Sequence, residues 1–233
     1  MPDDAASRWI EVSPERFAGW IAGFAGRHGG PLAVEAAPDA VLFRGTDGAA
    51  AACYPPFPPL PAADPADEPP PGTARAVVRQ AHRIAAHAAA DRTVGVLLVR
   101  LGGYAAGVFT GPEPVLAASK VGSRLVHGRS AAGGQSQQRF ARRRENQAQQ
   151  AVSAAADTAA AVFGPYQLDA LVLGGDRRAF AGIRTDPRLA PYFKVAVELF
   201  LTVPDPKLTV LKDTPRMFRA IRIKLTEPEP SVS

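Results

Sequence analysis

Residues 127–144 read HGRSAAGGQSQQRFARRR, an order of residue types that could support chemistry on an ester. Gly133 and Gly134 permit positive φ and leave no side chain to block the close approach of another molecule. Gln135 is neutral near pH 7 and cannot act as a general base. Its amides can nevertheless donate hydrogen bonds to a developing oxyanion or a leaving oxygen. Such a group could position water at an ester that is bound by a separate molecule.

Positive charge is concentrated in residues 120–144, which contain no carboxylate. The seven cationic residues there are Lys120, Arg124, Arg129, Arg139, Arg142, Arg143 and Arg144. The chain has a formal net charge of +5 and this segment contributes +7, so the remainder carries −2. A cluster of this kind favours contact with a polyanion, because its arginines could hold phosphates. The alternative is a solvated helical surface, on which Arg142 or Arg143 could also pack back against the domain.

Hydrophobic periodicity predicts the elements that must position this segment. Strands are expected at 93–100, 104–110 and 114–121, then a long helix at 136–163 that ends at Gly164-Pro165. Further elements are expected at 168–175 (a strand buried on both faces), 176–183 (a short helix), 192–201 and 219–225 (strands). This order predicts an α/β fold, a mixed-sheet α/β sandwich, with the glycine-rich segment between a strand and the long helix.

The amino-terminal part is expected to form a small α+β module. Residues 12–27 have the apolar stripe of an amphipathic helix, with Ser13 as N-cap and Pro14 at its first position. Short strands are predicted at 32–35, 40–44 and 49–54, and a helix at 73–90. Residues 55–72 are rich in proline and favour a stiff, extended linker, although a ligand for a proline-binding module is an alternative. The predicted domains are therefore 1–54, a linker at 55–72, 73–225, and a disordered tail at 226–233.

Composition excludes several other classes of protein. With one cysteine, Cys53, the chain can form neither an internal disulfide nor a cysteine metal cluster. The histidines show no metal-ligand spacing, so we expect neither a metal nor a cofactor. The amino terminus lacks the pattern of a signal peptide, and no apolar run is long enough to cross a bilayer. These features predict a cytoplasmic protein without membrane contact, and we expect a monomer.

The stretch HGRSAAGGQSQQRFARRRENQ resembles the catalytic loop and helix of the eukaryotic and archaeal class I peptide release factors. In those proteins a His-Gly-Arg precedes GGQS, and Arg-Phe-Ala-Arg follows. The resemblance extends more weakly over about residues 93–201, and within the superfamily it is greatest to the Vms-like release factors (VLRF), in particular their bacterial branch. One departure is the insertion of Ser130-Ala131-Ala132 between His-Gly-Arg and GGQ, which makes this loop longer than in those proteins.

The resemblance implies a ribosome-dependent peptidyl-tRNA hydrolase that frees nascent chains from stalled ribosomes or large subunits. Gly133, Gly134 and Gln135 would be the catalytic residues, and peptidyl-tRNA and large-subunit rRNA the partners. The RNA-binding candidates are Lys120, Arg124, His127, Arg129, Arg139, Arg142, Arg143 and Arg144. A glutamine methyltransferase acting on Gln135 is a further candidate partner. Two alternatives stay open: cleavage within the tRNA 3′ end, and a non-catalytic ribosome- or RNA-binding module.

Overall fold

The computed structural model of the chain describes residues 7–63, 69–100, 103–123 and 137–228, of which residues 137–148 are described as backbone only. The strands are β1 Ser7–Val12, β2 Ala33–Ala36, β3 Val41–Arg44, β4 Ala50–Tyr54, β5 Val94–Arg100, β6 Gly103–Thr110, β7 Val115–Ser123, β8 Ala170–Gly175, β9 Ala196–Leu201 and β10 Ile221–Thr226. The helices are α1 Pro14–Arg27, α2 Ala74–Ala89, α3 Gln137–Phe163, α4 Ala179–Ile183, α5 Ala190–Phe193 and α6 Leu208–Phe218, with a 3-10 turn at Pro187–Leu189.

The chain folds into two compact units. The first comprises residues 1–90 together with 219–233, and the second comprises residues 91–218. Each unit has its own five-stranded sheet and its own hydrophobic core.

In the first unit an antiparallel sheet with the strand order β1-β10-β4-β3-β2 packs against α1 and α2. Pro14 begins α1, and Phe17, Ile21 and Phe24 form its buried face, as the periodicity predicts. The amino terminus of α2 is capped by Thr73, whose hydroxyl accepts the N–H of Ala76 at 3.2 Å. The predicted helices and the three short strands of this part are confirmed, with small shifts of their ends.

The domain boundaries differ from those expected. Helix α2 was expected in the second domain, but Val77, Ala81 and Ile84 lie in the core of the first unit. Strand β10 also belongs to the first unit, where it pairs with β1 and β4. A half-buried strand shows the same alternation in either sheet, so its sequence did not reveal its partners.

The described part of the expected linker, residues 55–63 and 69–72, is not a free spacer. Leu60 is buried in the first core, and its N–H donates to the carbonyl of Pro38 at 2.6 Å. Arg83 of α2 donates to the carbonyl of Pro61 at 3.1 Å. The expected tail also begins inside β10, which ends at Thr226, while residues 229–233 lie outside the described residues.

The second unit is a mixed sheet with the order β7-β6-β5-β8-β9 between helices on its two faces, which confirms the predicted α/β sandwich. Strands β5 and β8 are parallel and nearly continuously apolar, because both of their faces are covered. On one face α3 contributes Ala155, Ala159 and Phe163 to the core. On the other face Phe218 of α6 packs edge-on against Phe109, with ring centroids 5.7 Å apart.

Three elements differ from expectation. Strand β1 and helix α6 were not predicted, and the expected strand at 192–201 begins only at Ala196. Residues 187–193 instead coil into the 3-10 turn and α5, because the side chain of Asp186 accepts the N–H of Arg188 at 2.9 Å and caps the turn. Helix α6 was missed because it contains Pro215, a residue that normally breaks helices.

Candidate active site

The segment that carries the candidate catalytic residues connects the edge strand β7 to helix α3. Gly133, Gly134 and Gln135 lie outside the described residues, as do Arg124, His127 and Arg129. Its two attachment points are described: β7 ends at Ser123, which pairs with Gly103, and α3 begins at Gln137. The two ends of the segment are therefore fixed by β7 and by α3.

Both strand order and strand direction place the start of this segment at one edge of the sheet. Strands β5, β8 and β9 are mutually parallel. Strand β6 is antiparallel to β5 and to β7, so β7 runs in the same direction as the parallel strands. Four strands consequently point their carboxyl ends to the same edge, which is where open α/β sheets usually bind ligands.

Helix α3 holds the other end of the segment. Its 27 residues span about 40 Å, whereas the seven residues of β5 span only about 23 Å. Its described inward-facing residues lie between Val152 and Phe163, in its carboxyl-terminal half. The helix is thus longer than the strands on which it packs, and the sequence-predicted arginines fall in its other half.

Five of the candidate RNA-binding residues lie on described elements. Lys120 is exposed on β7, opposite Ala106, and so lies on the sheet face that α3 covers. The backbone of Arg139, Arg142, Arg143 and Arg144 is helical, in the first two turns of α3, and their side chains lie outside the described part. The structure brings Lys120 and these four positions onto the two elements that flank the segment.

Two exposed arginines at this edge were not predicted from the sequence. Arg177 and Arg178 follow directly after β8, in the motif GGDRR. The guanidinium of Arg177 lies over the ring of Phe200 at 4.1 Å from its centroid. The backbone N–H of Arg178 donates to the Asp176 carboxylate at 2.9 Å, which fixes the turn. A charged pair directly after a buried parallel strand is the signal that could have identified them.

Arg100, at the end of β5, has a structural role at the same edge. Its guanidinium donates to the carbonyl of Val203 at 2.7 Å and lies 3.8 Å from the Asp205 carboxylate. These contacts tie the end of β5 to the segment after β9. Arg100 therefore serves the fold through polar contacts, whereas Arg177, stacked on Phe200, and Arg178 are exposed.

An open cavity of about 660 Å³ lies between α3 and the 3-10 turn. Its main charged groups are paired with one another. Arg188 donates to Asp186 at 2.6 Å and to Asp157 of α3 at 2.7 Å. The hydrogen bond from Arg188 lowers the pKa of Asp186, and the bonds to Asp186 and Asp157 raise the pKa of Arg188. This cluster fastens the turn to α3 and leaves no free group for catalysis among these three residues.

Within the described residues, no group of three or more His, Cys, Asp or Glu side chains could hold a metal ion. In the same part of the chain, none of the helices is both long enough and apolar enough to cross a membrane.

A mixed α/β sandwich whose edge strand leads through a glycine-rich, basic segment into a long helix is the arrangement expected from the resemblance to release factors. The chain belongs to the VLRF1 release factor family of Actinobacteria and Chloroflexi, whose model matches residues 92–224, more than half of the chain. The match contains Gly133, Gly134 and Gln135, and it confirms the family expected from the sequence.

Other comparisons give more distant likenesses. The structure titled Vms1 mitochondrial localization core is 11% identical, with a TM-score of 0.40, over 78% of this chain and 75% of that one. The archaeal translation termination factor aRF1 is 10% identical, with a TM-score of 0.37, over 92% of this chain and 67% of that one. Among curated proteins, no sequence matches this chain significantly.

Proposed function

We propose that this protein is a ribosome-associated peptidyl-tRNA hydrolase that releases nascent chains from stalled ribosomes or large subunits. The observation that carries the proposal is the membership of residues 92–224 in a release factor family, with Gly133-Gly134-Gln135 inside the matched range. The positions of β7 and α3 also support the proposal, because the segment that they hold starts at one edge of the sheet and can extend beyond it.

In the proposed reaction a water molecule attacks the carbonyl carbon of the ester between the peptide and the tRNA 3′ end. The carbon–oxygen bond to the ribose breaks, the ribose oxygen takes up a proton, and the peptide leaves as a carboxylic acid. Gln135 orients the water and donates its backbone N–H to the developing negative charge. Gly133 and Gly134 allow the backbone to approach the ester without a side chain in the way.

The cationic residues would hold the RNA. Arg139, Arg142, Arg143 and Arg144 on α3, Lys120 on β7, and Arg124, His127 and Arg129 in the connecting segment are the proposed contacts to tRNA or rRNA phosphates. Arg177 and Arg178 extend the same basic edge on the other side of β5. Such contacts fix the orientation of the RNA and make binding strongly dependent on salt.

The test uses purified large subunits that carry peptidyl-tRNA, incubated with the wild-type protein and with Gln135→Ala. A matched control is Gln138→Ala, which removes the same side chain three residues further along. Peptide and tRNA 3′ end are resolved on the same gel. We expect release with an intact 3′ end and little change for Gln138→Ala. Gln135→Ala keeps the backbone N–H but loses the side chain that orients the water, so we expect a loss of about 100-fold or more.

Two outcomes would overturn the proposal. Release together with a shortened tRNA would identify a nuclease, with a ribose hydroxyl rather than water as the nucleophile. Binding without release by the wild-type protein would identify a non-catalytic RNA-binding module.

We further propose that a methyltransferase modifies Gln135. The test is the mass of the tryptic peptide that contains this residue, from protein purified from its natural source.

A further inference from the structure

One face of the first sheet carries an exposed aromatic pair among cations. Helices α1 and α2 cover the opposite face, where Ile10, Cys53 and Ile223 contribute to the core. Because side chains alternate along a strand, the residues between them point away from the helices. Trp9, Ala52, Tyr54, Arg222 and Lys224 lie on this side and are here called the aromatic face.

The two rings form a contiguous, exposed surface. Trp9 on β1 and Tyr54 on β4 lie on either side of β10, and their ring centroids are 5.4 Å apart. Trp9 is 52% exposed and Tyr54 is 37% exposed. Aromatic side chains of this size normally lose much of their surface on folding, so two exposed neighbours indicate a binding surface.

Positive charge lies next to the rings. The guanidinium of Arg222 is 4.7 Å from the centroid of the Trp9 ring, and Lys224 is directly opposite Trp9 in the sheet register. The same sheet side also carries Glu11, opposite Arg222, and Glu35, which lies 3.5 Å from Arg44. The residues closest to the centre of the aromatic face are therefore cationic.

Small side chains continue the surface beside the rings. Ala52 lies opposite Lys224, and Ala50 lies opposite Thr226, on the same side of β4 as Tyr54. Alanine projects little above a sheet, so a planar group can lie flat beside Tyr54. A shallow sheet with aromatic rings, flanking cations and small neighbours is the arrangement on which proteins stack unpaired bases while holding phosphates.

We propose that the aromatic face is a second nucleic-acid site, which binds single-stranded RNA by stacking bases on Trp9 and Tyr54 and holding phosphates on Arg222 and Lys224. A protein partner fits less well, because lysine is depleted at the centres of protein interfaces. Duplex RNA fits less well because its bases are already stacked and paired. The inference goes beyond hydrolysis at Gln135 and does not depend on it, since Trp9 and Tyr54 lie outside the family match.

The two tryptophans of the chain make the test specific. Trp20 lies on α1 and stacks on Phe24 with ring centroids 5.6 Å apart. In Trp20→Phe, Trp9 is the sole tryptophan, and in Trp9→Phe, Trp20 is the sole tryptophan. Each full-length variant is titrated with single-stranded RNA of about ten nucleotides. We expect quenching of tryptophan fluorescence in Trp20→Phe and none in Trp9→Phe.

Further substitutions in the Trp20→Phe background separate stacking from charge. Tyr54→Ala should weaken the binding that Trp9 reports by about 5- to 100-fold. Lys224→Ala should lower the slope of log affinity against log salt by about 0.7. Lys212→Ala, an exposed lysine on α6, is the matched control and should leave that slope unchanged.

The proposal is overturned if RNA binds, as shown by the anisotropy of a labelled strand, without quenching Trp9. It is also overturned if duplex RNA quenches Trp9 as strongly as single strands do. The same holds if a protein partner quenches Trp9 and RNA does not. Adding Gln135→Ala to the Trp20→Phe protein should leave the quenching of Trp9 by RNA unchanged. Failure of this site and failure of the hydrolase proposal are therefore distinguishable.

Discussion

Asp176 donates its backbone N–H to the carbonyl oxygen of Val99 over 2.7 Å, and this bond joins the ends of β8 and β5. It lies at the edge of the sheet from which the segment with Gln135 departs. Gly175 precedes Asp176 and has φ of +103°, a conformation that favours glycine. A Cβ at this position would overlap the carbonyl of Val99. The turn therefore requires glycine for two independent reasons.

Replacing Gly175 with alanine should destabilise the second unit. We expect a loss of about 2–4 kcal/mol in the free energy of unfolding, from the overlap with Val99 and the strained φ. Urea unfolding followed by circular dichroism measures it. Gly19→Ala is the control, because Gly19 is helical and a Cβ there meets nothing within 4 Å. That variant should gain up to about 1 kcal/mol. Equal stability of the two variants would contradict this account of the turn.

Much of each unit could be predicted from residue patterns. Continuous apolar runs predicted β5 and β8, and the stripe of Phe17, Ile21 and Phe24 predicted α1. The pairing of β10 with β1 and β4, which lie far earlier in the chain, could not be predicted, because the alternation in β10 is satisfied by either sheet. Helix α6 was not predicted because it contains Pro215, a residue that normally ends a helix. The residues of the candidate site could be identified from their types and order. The sheet edge at which Arg177 and Arg178 lie could not, because it depends on strand order.

The position of β10 between β1 and β4 predicts how fragments of the chain behave. Strand β10 lies between β1 and β4, with Ile223 opposite both Ile10 and Cys53. A fragment of residues 1–90 lacks this strand, which leaves β1 without its partner and the core without three buried side chains, Ile221, Ile223 and Leu225. We expect no cooperative unfolding transition for residues 1–90, whereas residues 91–218 should show one.

Cys53 provides a readout for that experiment. It is buried, and burial raises the pKa of its thiol. In the full chain it should therefore react slowly with a thiol reagent at neutral pH, and in the 1–90 fragment at close to the rate of an unfolded chain. Joining residues 219–228 to the fragment through a flexible linker should restore protection. Protection of Cys53 without β10 would contradict the prediction.

The contact between His28 and Asp47 predicts a pH dependence in the first unit. The Asp47 carboxylate lies 2.8 Å from Nδ1 of His28 and accepts the N–H of Ala49 at 3.0 Å. The hydrogen bond with His28 is the main reason that the pKa of Asp47 lies below its ordinary value. A carboxyl with a lowered pKa stabilises the fold above its unfolded pKa, and this stabilisation is lost as the pH falls through the folded value.

Asp47→Asn should therefore be less stable than the wild type near pH 6, and the difference should shrink as the pH falls below about 4. Thermal unfolding at several pH values measures it. Asp39→Asn, which changes an exposed carboxylate between β2 and β3, is the control and should show no such trend. If the stability difference between the wild type and Asp47→Asn instead grew as the pH fell, the predicted direction of the pH dependence would be wrong.

Helix α6 accommodates Pro215 through a substitute hydrogen bond. Pro215 has no N–H to donate to the carbonyl of Leu211, four residues earlier. The hydroxyl of Thr214, which is fully buried, donates to that carbonyl at 2.7 Å. Thr214→Val keeps the shape of the side chain and leaves the carbonyl without this donor. We expect a loss of about 1–3 kcal/mol in the free energy of unfolding of the second unit.

A double-mutant cycle tests whether proline is the reason for that bond. Pro215→Ala restores a backbone N–H at the position from which a regular helix bonds to Leu211. In this background Thr214→Val should cost less than half of what it costs in the wild type, because the carbonyl has regained a donor. Urea unfolding of the four proteins of the cycle gives the coupling directly. Equal costs in both backgrounds would mean that Thr214 stabilises α6 by packing, independently of Pro215.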